Sequence, residues 1–272
     1  MDYKQFEELA SKVRVDIIKS VFEAGSGHPG GSLSCADIMT ALYFKEMNID
    51  PENPLMEDRD KLVLSKGHAC PAQYAALAER GYFPKEELKT LRKLGSRLQG
   101  HAKMGLLPGI EMSTGSLGQG FSVAVGMALA NKLDNKEGRI YAILGDGELQ
   151  EGIVWEAAMS ASHYHLDNLC AVVDWNGLQI DGRNDDVMTV RPIEDKFKAF
   201  GFNVISINGH DFAQIFDAFD QARACDGKPT VIVASTHKGH GVSFMEDQSG
   251  WHGKAPNEEQ ARQAVEELGG EW

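Results

Sequence analysis

The chain reads as an α/β protein, a parallel sheet flanked by helices on both faces, and two observations predict it. Short apolar runs of strand length recur at 62–64, 140–144, 169–173, 203–207 and 230–234. Segments with helical spacing of apolar residues lie between them, at 119–133, 151–163 and 211–225. Strands that alternate with helices pair in parallel, because each crossover helix carries the chain back to the edge where the last strand began. Helices on both faces then bury the sheet, so its strands are apolar throughout.

Ahead of the first strand, Phe6, Leu9, Val13, Ile17 and Val21 recur at three- and four-residue steps, which predicts an amphipathic helix over 3–24 stopped by Gly25. At 272 residues and 42% hydrophobic content the chain can bury a large core as one domain spanning 1–272, without disulfides or structural metals. Cys35, Cys70, Cys170 and Cys225 are scattered with no CxxC pair and read as small buried apolar residues. The formal charge of −13 disfavours nonspecific attraction to nucleic acid or to an anionic membrane. The N-terminal segment mixes charged and apolar residues, unlike a signal peptide, and no apolar run approaches ~18 residues. These features predict a soluble, cytoplasmic protein. There is no internal repeat or low-complexity tract, but the loop at 239–256 is long enough to suggest function.

Sheets of this kind bind ligands beyond the carboxyl ends of their strands. Those positions are rich in Gly, His, Asp and Asn: SKGHA follows 62–64, GDGELQEG follows 140–144, DWNGLQIDG follows 169–173 and STHKGHG follows 230–234. Gly145-Asp146-Gly147 is followed, 29 residues beyond Gly147, by Asn176 at the end of the next strand. A helix between them completes a βαβ unit and sets Asp146 beside Asn176, two hard oxygen donors suited to Mg²⁺ with a diphosphate and a backbone carbonyl in its remaining positions. The glycines allow close backbone approach to the diphosphate. A bare GDG is also compatible with a tight turn whose Asp caps the next helix. Four histidines, His28, His68, His101 and His252, lie among glycines, where an imidazole can meet a ligand and move protons near neutral pH.

The segments SGHPGGSLS (26–34), LSKGHA (64–69), TGSLGQG (114–120), GDGELQEG (145–152) and NGLQIDG (176–182) resemble transketolase motifs in transketolase order, over nearly the whole chain. The resemblance implies the thiamine-diphosphate fold of the diphosphate-side domain, with Asp146, Asn176 and the main-chain carbonyl of Leu178 ligating Mg²⁺ or Ca²⁺. It implies that His68, Gly147 and His252 meet the diphosphate or thiazolium side and that Gly115 and Leu117 line the cofactor pocket. His28 and His252 are assigned to hydroxyl and alkoxide stabilisation with proton transfer, His101 to a substrate hydroxyl, and His68 to both phosphate and substrate. Glu151 matches a glutamate at the dimer interface, coupled to the catalytic glutamate of the other active site; its alternative is a favourable charge at a helix start. Lys238 is expected near the diphosphate or substrate, against the alternative of a solvated loop lysine, and departs from the apolar residue of some full-length members. Ala124, Ala128 and Ala130 read as core-packing residues without a chemical role.

Full-length transketolases continue into a pyrimidine-binding and a C-terminal domain, and the first of these carries the glutamate that activates the cofactor. The resemblance therefore implies the N-terminal subunit of a split enzyme, joined with a C-terminal subunit in an α₂β₂ assembly, with each active site where the two kinds of chain meet. That assembly would move a two-carbon ketol unit between sugar phosphates, whose phosphate the partner would largely grip. The competing readings are a deoxyxylulose-phosphate-synthase-like enzyme, the α subunit of a 2-oxo-acid dehydrogenase, or a noncatalytic binding module. GHPGG and GSLGQG speak against the first two, and the four histidines against the third.

Overall fold

The computed structural model describes residues 1–272. Five strands form one parallel sheet: β1 (Lys61–Leu64), β2 (Ile140–Gly145), β3 (Leu169–Trp175), β6 (Asn203–Asn208) and β7 (Thr230–Ser235). Their spatial order is β1-β2-β3-β7-β6. A two-residue antiparallel pair, β4 (Leu178–Gln179) and β5 (Gly182–Arg183), forms a hairpin just past β3. The five expected strands are all present, and β6, the edge strand, is only partly buried.

Along each strand, alternate side chains enter two separate cores. Leu62, Leu64, Tyr141, Ile143, Cys170 and Val172 face one layer, which holds α1 (Tyr3–Ala24), α2 (Pro29–Ser34), α3 (Ala36–Ala41), α4 (Cys70–Arg80), α9 (Phe212–Ala224) and α10 (Glu258–Glu267). Val63, Ala142, Leu144, Ala171 and Val173 face the other, built on α5 (Gln119–Leu133), α6 (Gly152–His163) and α8 (Ile193–Ala199). The central strands β2, β3 and β7 are buried almost end to end because both faces are covered. The short helix α7 (Asn184–Val187) follows the hairpin.

Local signals explain the boundaries. Asp2 caps α1 in a capping box with Gln5, and Gly25 ends it at φ +62° in the left-handed region. Phe6, Val13, Ile17 and Val21 are buried as their spacing predicts, while Leu9 is half-buried. Asp211 accepts hydrogen bonds from the Ala213 and Gln214 amides and so starts α9. Residues 147–150 form a single 3-10 turn, so the helix expected from 151 begins at Gly152. Ala124 and Ala128, four residues apart, are buried as expected, but Ala130 is exposed. Two residues past Ala128 is about 200° around the helix, which turns Ala130 to the outer side. Cys35, Cys70 and Cys170 are buried, whereas Cys225, just beyond α9, is half-buried. No helix is long and apolar enough to cross a membrane.

One buried ion pair ties the larger layer to the sheet edge. Arg14 of α1 donates to Asp37 Oδ2 of α3 at 2.5 Å, and the same oxygen receives His210 Nδ1, just past β6, at 2.7 Å. The His237 amide donates to His210 Nε2 at 3.0 Å, so His210 carries its proton on Nδ1. Burial alone would raise the Asp37 pKa, but Arg14 and His210 hold the carboxyl well below the usual range. Arg14→Met strands that carboxylate, and denaturant unfolding is expected to show a loss of about 3–5 kcal/mol. Arg14→Met combined with Asp37→Asn recovers part of it. A single-variant loss below about 1 kcal/mol would show the pair to be dispensable.

Candidate cofactor and substrate site

The four strand ends singled out by composition belong to β1, β2, β3 and β7, four contiguous strands whose carboxyl ends open on one side. Beyond them lies a cavity of about 340 Å³. His28, His68, His101, Gly115, Leu117, Asp146, Gly147, Glu151, Asn176, Leu178, Lys238 and His252 all line it. The β3–β7 boundary, where strand order reverses, is the crevice such folds use for ligands.

On the β2–β3 side, Asp146 is buried and its carboxylate is held by backbone alone. Oδ1 accepts from the Gly147 amide at 2.8 Å and Oδ2 from the Gly177 amide at 2.5 Å. Burial first, then the nearby Asp174 charge, pushes its pKa up to about 6. Asn176 donates from Nδ2 to Asp174 Oδ2 at 3.1 Å and accepts from the Leu178 amide on Oδ1 at 3.1 Å. The Leu178 carbonyl receives the Lys238 ammonium at 3.0 Å. These are hard oxygen donors around a place that already attracts a cation, which fits a divalent metal.

Lys238 is no solvated loop lysine: it is 2% exposed. Its ammonium also donates to His252 Nδ1 at 2.9 Å, which leaves that imidazole's proton on Nε2. Burial lowers the Lys238 pKa to about 8, opposed by Asp146. Gly30 permits this packing, since a Cβ there would lie 2.9 Å from the Trp251 carbonyl and 3.1 Å from Lys238 Cγ. The loop at 239–256 thus folds back over the glycine-rich segment, with Val242, Met245 and Trp251 buried beneath it, and delivers His252. Glu151 is exposed at the rim, at the N-cap of α6, and makes no capping hydrogen bond.

The histidines form one cluster. Ring centroids are 5.0 Å apart for His68 and His252, 5.2 Å for His28 and His68, 5.5 Å for His28 and His252, and 6.1 Å for His28 and His101. Burial lowers every one of their pKa values. His28 falls to about 4, helped by Arg92, His101 and Lys238. His252 falls to about 3, helped by Lys238 and His28. His68 lies well below its usual value, and His101 is lowered with Arg92 contributing. At neutral pH these are uncharged imidazoles, each able to donate one N–H or accept one proton.

Beneath the cavity lie charged groups that sequence reasoning did not single out. Asp174, inside the apolar run of β3, accepts from Lys66 Nζ at 2.5 Å, from Ser34 Oγ at 2.6 Å and from the Thr236 hydroxyl. Lys66 also donates to the Gly31 carbonyl at 2.7 Å. Glu148 accepts from the Gly118 amide at 2.7 Å, the Gly145 amide at 3.0 Å and the Ser65 hydroxyl. The available signal was a charge within or next to a buried strand, which must be paired if the strand is real.

This chemistry has known counterparts. Residues 6–271 match the family model described as transketolase, thiamine diphosphate binding domain. The 6-deoxy-6-sulfo-D-fructose transketolase subunit SqwG of Clostridium sp. (strain MSTE9) is 49% identical over 262 residues, covering 96% of this chain and 95% of that protein. One of the apulose-4-phosphate transketolase subunits, from Phocaeicola vulgatus, is 41% identical over 268 residues, covering 98% and 95%. The transketolase structure from Campylobacter jejuni superposes with a TM-score of 0.93 at 36% identity, over 100% of this chain and 44% of that one. The fold and site define a thiamine-diphosphate-binding α/β domain. The chain belongs to the transketolase family, and its length is that of the separate subunits rather than of the full-length enzyme.

Free imidazoles titrate near 6.5, so between that pH and about 4 the folded chain binds fewer protons at His28 and His252 than the unfolded one. Their contribution to stability is fully present above pH ~6.5 and drains away as pH falls toward the folded values. Thermal melts of a His28→Asn/His252→Asn chain should fall less steeply from pH 7 to 4.5 than those of the parent. Parallel curves would mean that these imidazoles are not held neutral by the fold.

Proposed function

We propose that the chain is the N-terminal, diphosphate-side subunit of a split transketolase, which with a C-terminal partner transfers a two-carbon ketol unit between sugars. The observation that carries this reading is the convergence of the Asp146, Asn176 and Leu178 oxygens and four neutral histidines on one cavity. When bound, thiamine diphosphate supplies the carbanion that takes up and releases the ketol unit.

Asp146, Asn176 and the Leu178 carbonyl would hold Mg²⁺ or Ca²⁺. Lys238, resting on that carbonyl, and His68 would meet the diphosphate, with Gly147 on the same cavity wall. Gly115 and Leu117 line the cofactor wall. His28, uncharged at neutral pH, is suited to donate N–H to a developing alkoxide or to take a proton from a substrate hydroxyl, and His252, whose Nδ1 is held by Lys238, is suited to donate from Nε2 to the alkoxide. His101 is suited to hold a further hydroxyl. The relatives' names specify a sulfosugar and a sugar phosphate, which favours a substrate bearing an anion distant from its carbonyl.

A partner is supported by the cavity's open wall. Ile180 lines the cavity yet is 68% exposed, and Val187 and Met188 beside the hairpin are exposed too. Apolar side chains clustered at the rim of a polar site suit a protein interface. Glu151, exposed on the same rim, is assigned to the dimer interface, coupled to the catalytic glutamate of the other active site. The assembly proposed is α₂β₂.

Two measurements test this. Ketol transfer should be absent with the purified chain and present when the product of an adjacent reading frame of about 300 residues is added; robust turnover by the chain alone would sink the two-subunit reading. In calorimetry on the reconstituted complex, Asp146→Asn should weaken Mg²⁺-dependent thiamine diphosphate binding by at least about tenfold. Unchanged affinity would remove Asp146 from the metal set.

A further inference from the structure

A second hollow, of about 440 Å³, opens beside the histidine cluster. It is lined by Ser26, Arg92, Lys93 and Gln99, with the backbone of Gly95 and Gly100. No carboxylate lines it, although the chain carries a formal charge of −13. Arg92 and Lys93 make no ion pair, whereas nearby Arg97 is neutralised by both oxygens of Glu87.

Arg92 is nevertheless held in place. The buried side chains of Leu91 and Leu98 pin the two ends of its loop, and the Arg92 amide donates to the Leu98 carbonyl at 2.9 Å. Its φ of +60° lies in the left-handed region that side chains rarely adopt. The guanidinium lies against Gly100, where a Cβ would come within 2.8 Å of Cζ, and Nη2 donates to the Gly100 carbonyl at 3.2 Å. The same nitrogen is 3.5 Å from His28 Nδ1. A guanidinium has five N–H donors in a planar fork, so most of this one stays available for a ligand.

We propose that Arg92, supported by Lys93, binds the terminal oxyanion of the sugar whose reacting end lies among the histidines. The ligand chemistry is a tetrahedral oxyanion, phosphate or sulfonate, which an unpaired arginine fork recognises through charge-assisted hydrogen bonds. The inference rests on the ketol-transfer reading and assigns to this chain, rather than to its partner alone, a contact to the distal anion. The lowered pKa values of His28 and His101, to which the Arg92 charge contributes, agree with a cation at this wall without a counter-ion.

The test uses the complex of both subunits, with a ketose phosphate, its sulfonate analogue and the uncharged ketose as donors. Arg92→Ala should raise KM for a charged donor by about tenfold or more, and for the uncharged one several-fold less. Arg92→Lys should recover most of the difference, and inorganic sulfate should inhibit the alanine variant about tenfold more weakly. A loss confined to the phosphate or to the sulfonate sugar supports the site and names its anion. Equal losses on charged and uncharged donors, or unchanged sulfate inhibition, overturn it. Should the unsubstituted complex transfer no ketol unit at all, the ketol-transfer reading fails by itself. Sulfate titration followed by the imidazole NMR signals of His28 and His101 then decides the anion site. Shifts present in the parent and lost in Arg92→Ala support it, and a parent that does not respond overturns it.

Discussion

The site depends on the pairing of Lys66 with Asp174 under the sheet's carboxyl edge. Both side chains are almost wholly buried, at 2% and 1% exposure. Burial alone would raise the Asp174 pKa and lower that of Lys66. Their mutual attraction reverses both shifts, so each keeps its charge. Such a pair repays its desolvation only where the remaining hydrogen-bonding capacity is used. Here it is used by the segments that make the site. Asp174 collects Ser34 from the glycine-rich helix, Asn176 past β3 and Thr236 past β7, while Lys66 reaches back to the Gly31 carbonyl. Three chain segments far from Asp174 in sequence are thereby bound to its carboxylate, together with Asn176 from its own segment. The Asn176 amide is oriented by both ends, Nδ2 donating to Asp174 and Oδ1 accepting from the Leu178 amide.

A second carboxylate performs the same service one strand over. Glu148 draws together the Gly118 amide at the start of α5, the Gly145 amide at the end of β2 and the Ser65 hydroxyl after β1, and Ser65 in turn accepts from the Phe121 amide at 2.9 Å. The cavity floor is thus built from charged groups whose hydrogen-bonding capacity is spent inward. The groups left facing the cavity are different in kind: Asp146, raised toward neutrality, Lys238, lowered toward it, and four uncharged imidazoles. Groups that frame the site are locked in one charge state, and groups that face a ligand lie close enough to neutral pH, or to one another, to respond to it.

Much of this was legible in the sequence, and the exceptions have physical reasons. Continuous apolar runs located all five strands, and the clustering of Gly, His, Asp and Asn after four of them located the cavity, because in a covered parallel sheet only the strand ends are free to carry polar groups. What could not be read was each side chain's partner. Lys66 lies two residues past β1 and Asp174 within β3, 108 residues apart, and only the side-by-side registers of β1, β2 and β3 bring them together. Lys238 left two readings open, beside the diphosphate or substrate or solvated on its loop, because a lysine next to a glycine fits both until the Gly30 backbone closes over it. Ala130 was misplaced for a smaller reason: small residues suit a core face and an exposed helix face equally, and only the angular step from Ala128 separates them. Arg92 gave no signal at all, since its significance lies in a missing counter-ion.

The division of polarity over the molecule bears on the proposed need for a partner. One face of the sheet is closed by six helices and the other by three, and on that thinner side α5 leaves Gly126 and Ala130 exposed and α6 leaves Met159 exposed. Small residues on an outward helix face permit close approach by another backbone. Ile180 and Glu151 bring the same exposure to the cavity rim, one apolar and one ionisable. A chain whose polar floor is so fully satisfied, yet whose site wall is left apolar and open, has its hydrogen-bonding geometry complete and its desolvation incomplete. On the transketolase reading, the docking of a second subunit supplies what is lacking: it excludes water from the neutral imidazoles, which strengthens each electrostatic contact within the cavity.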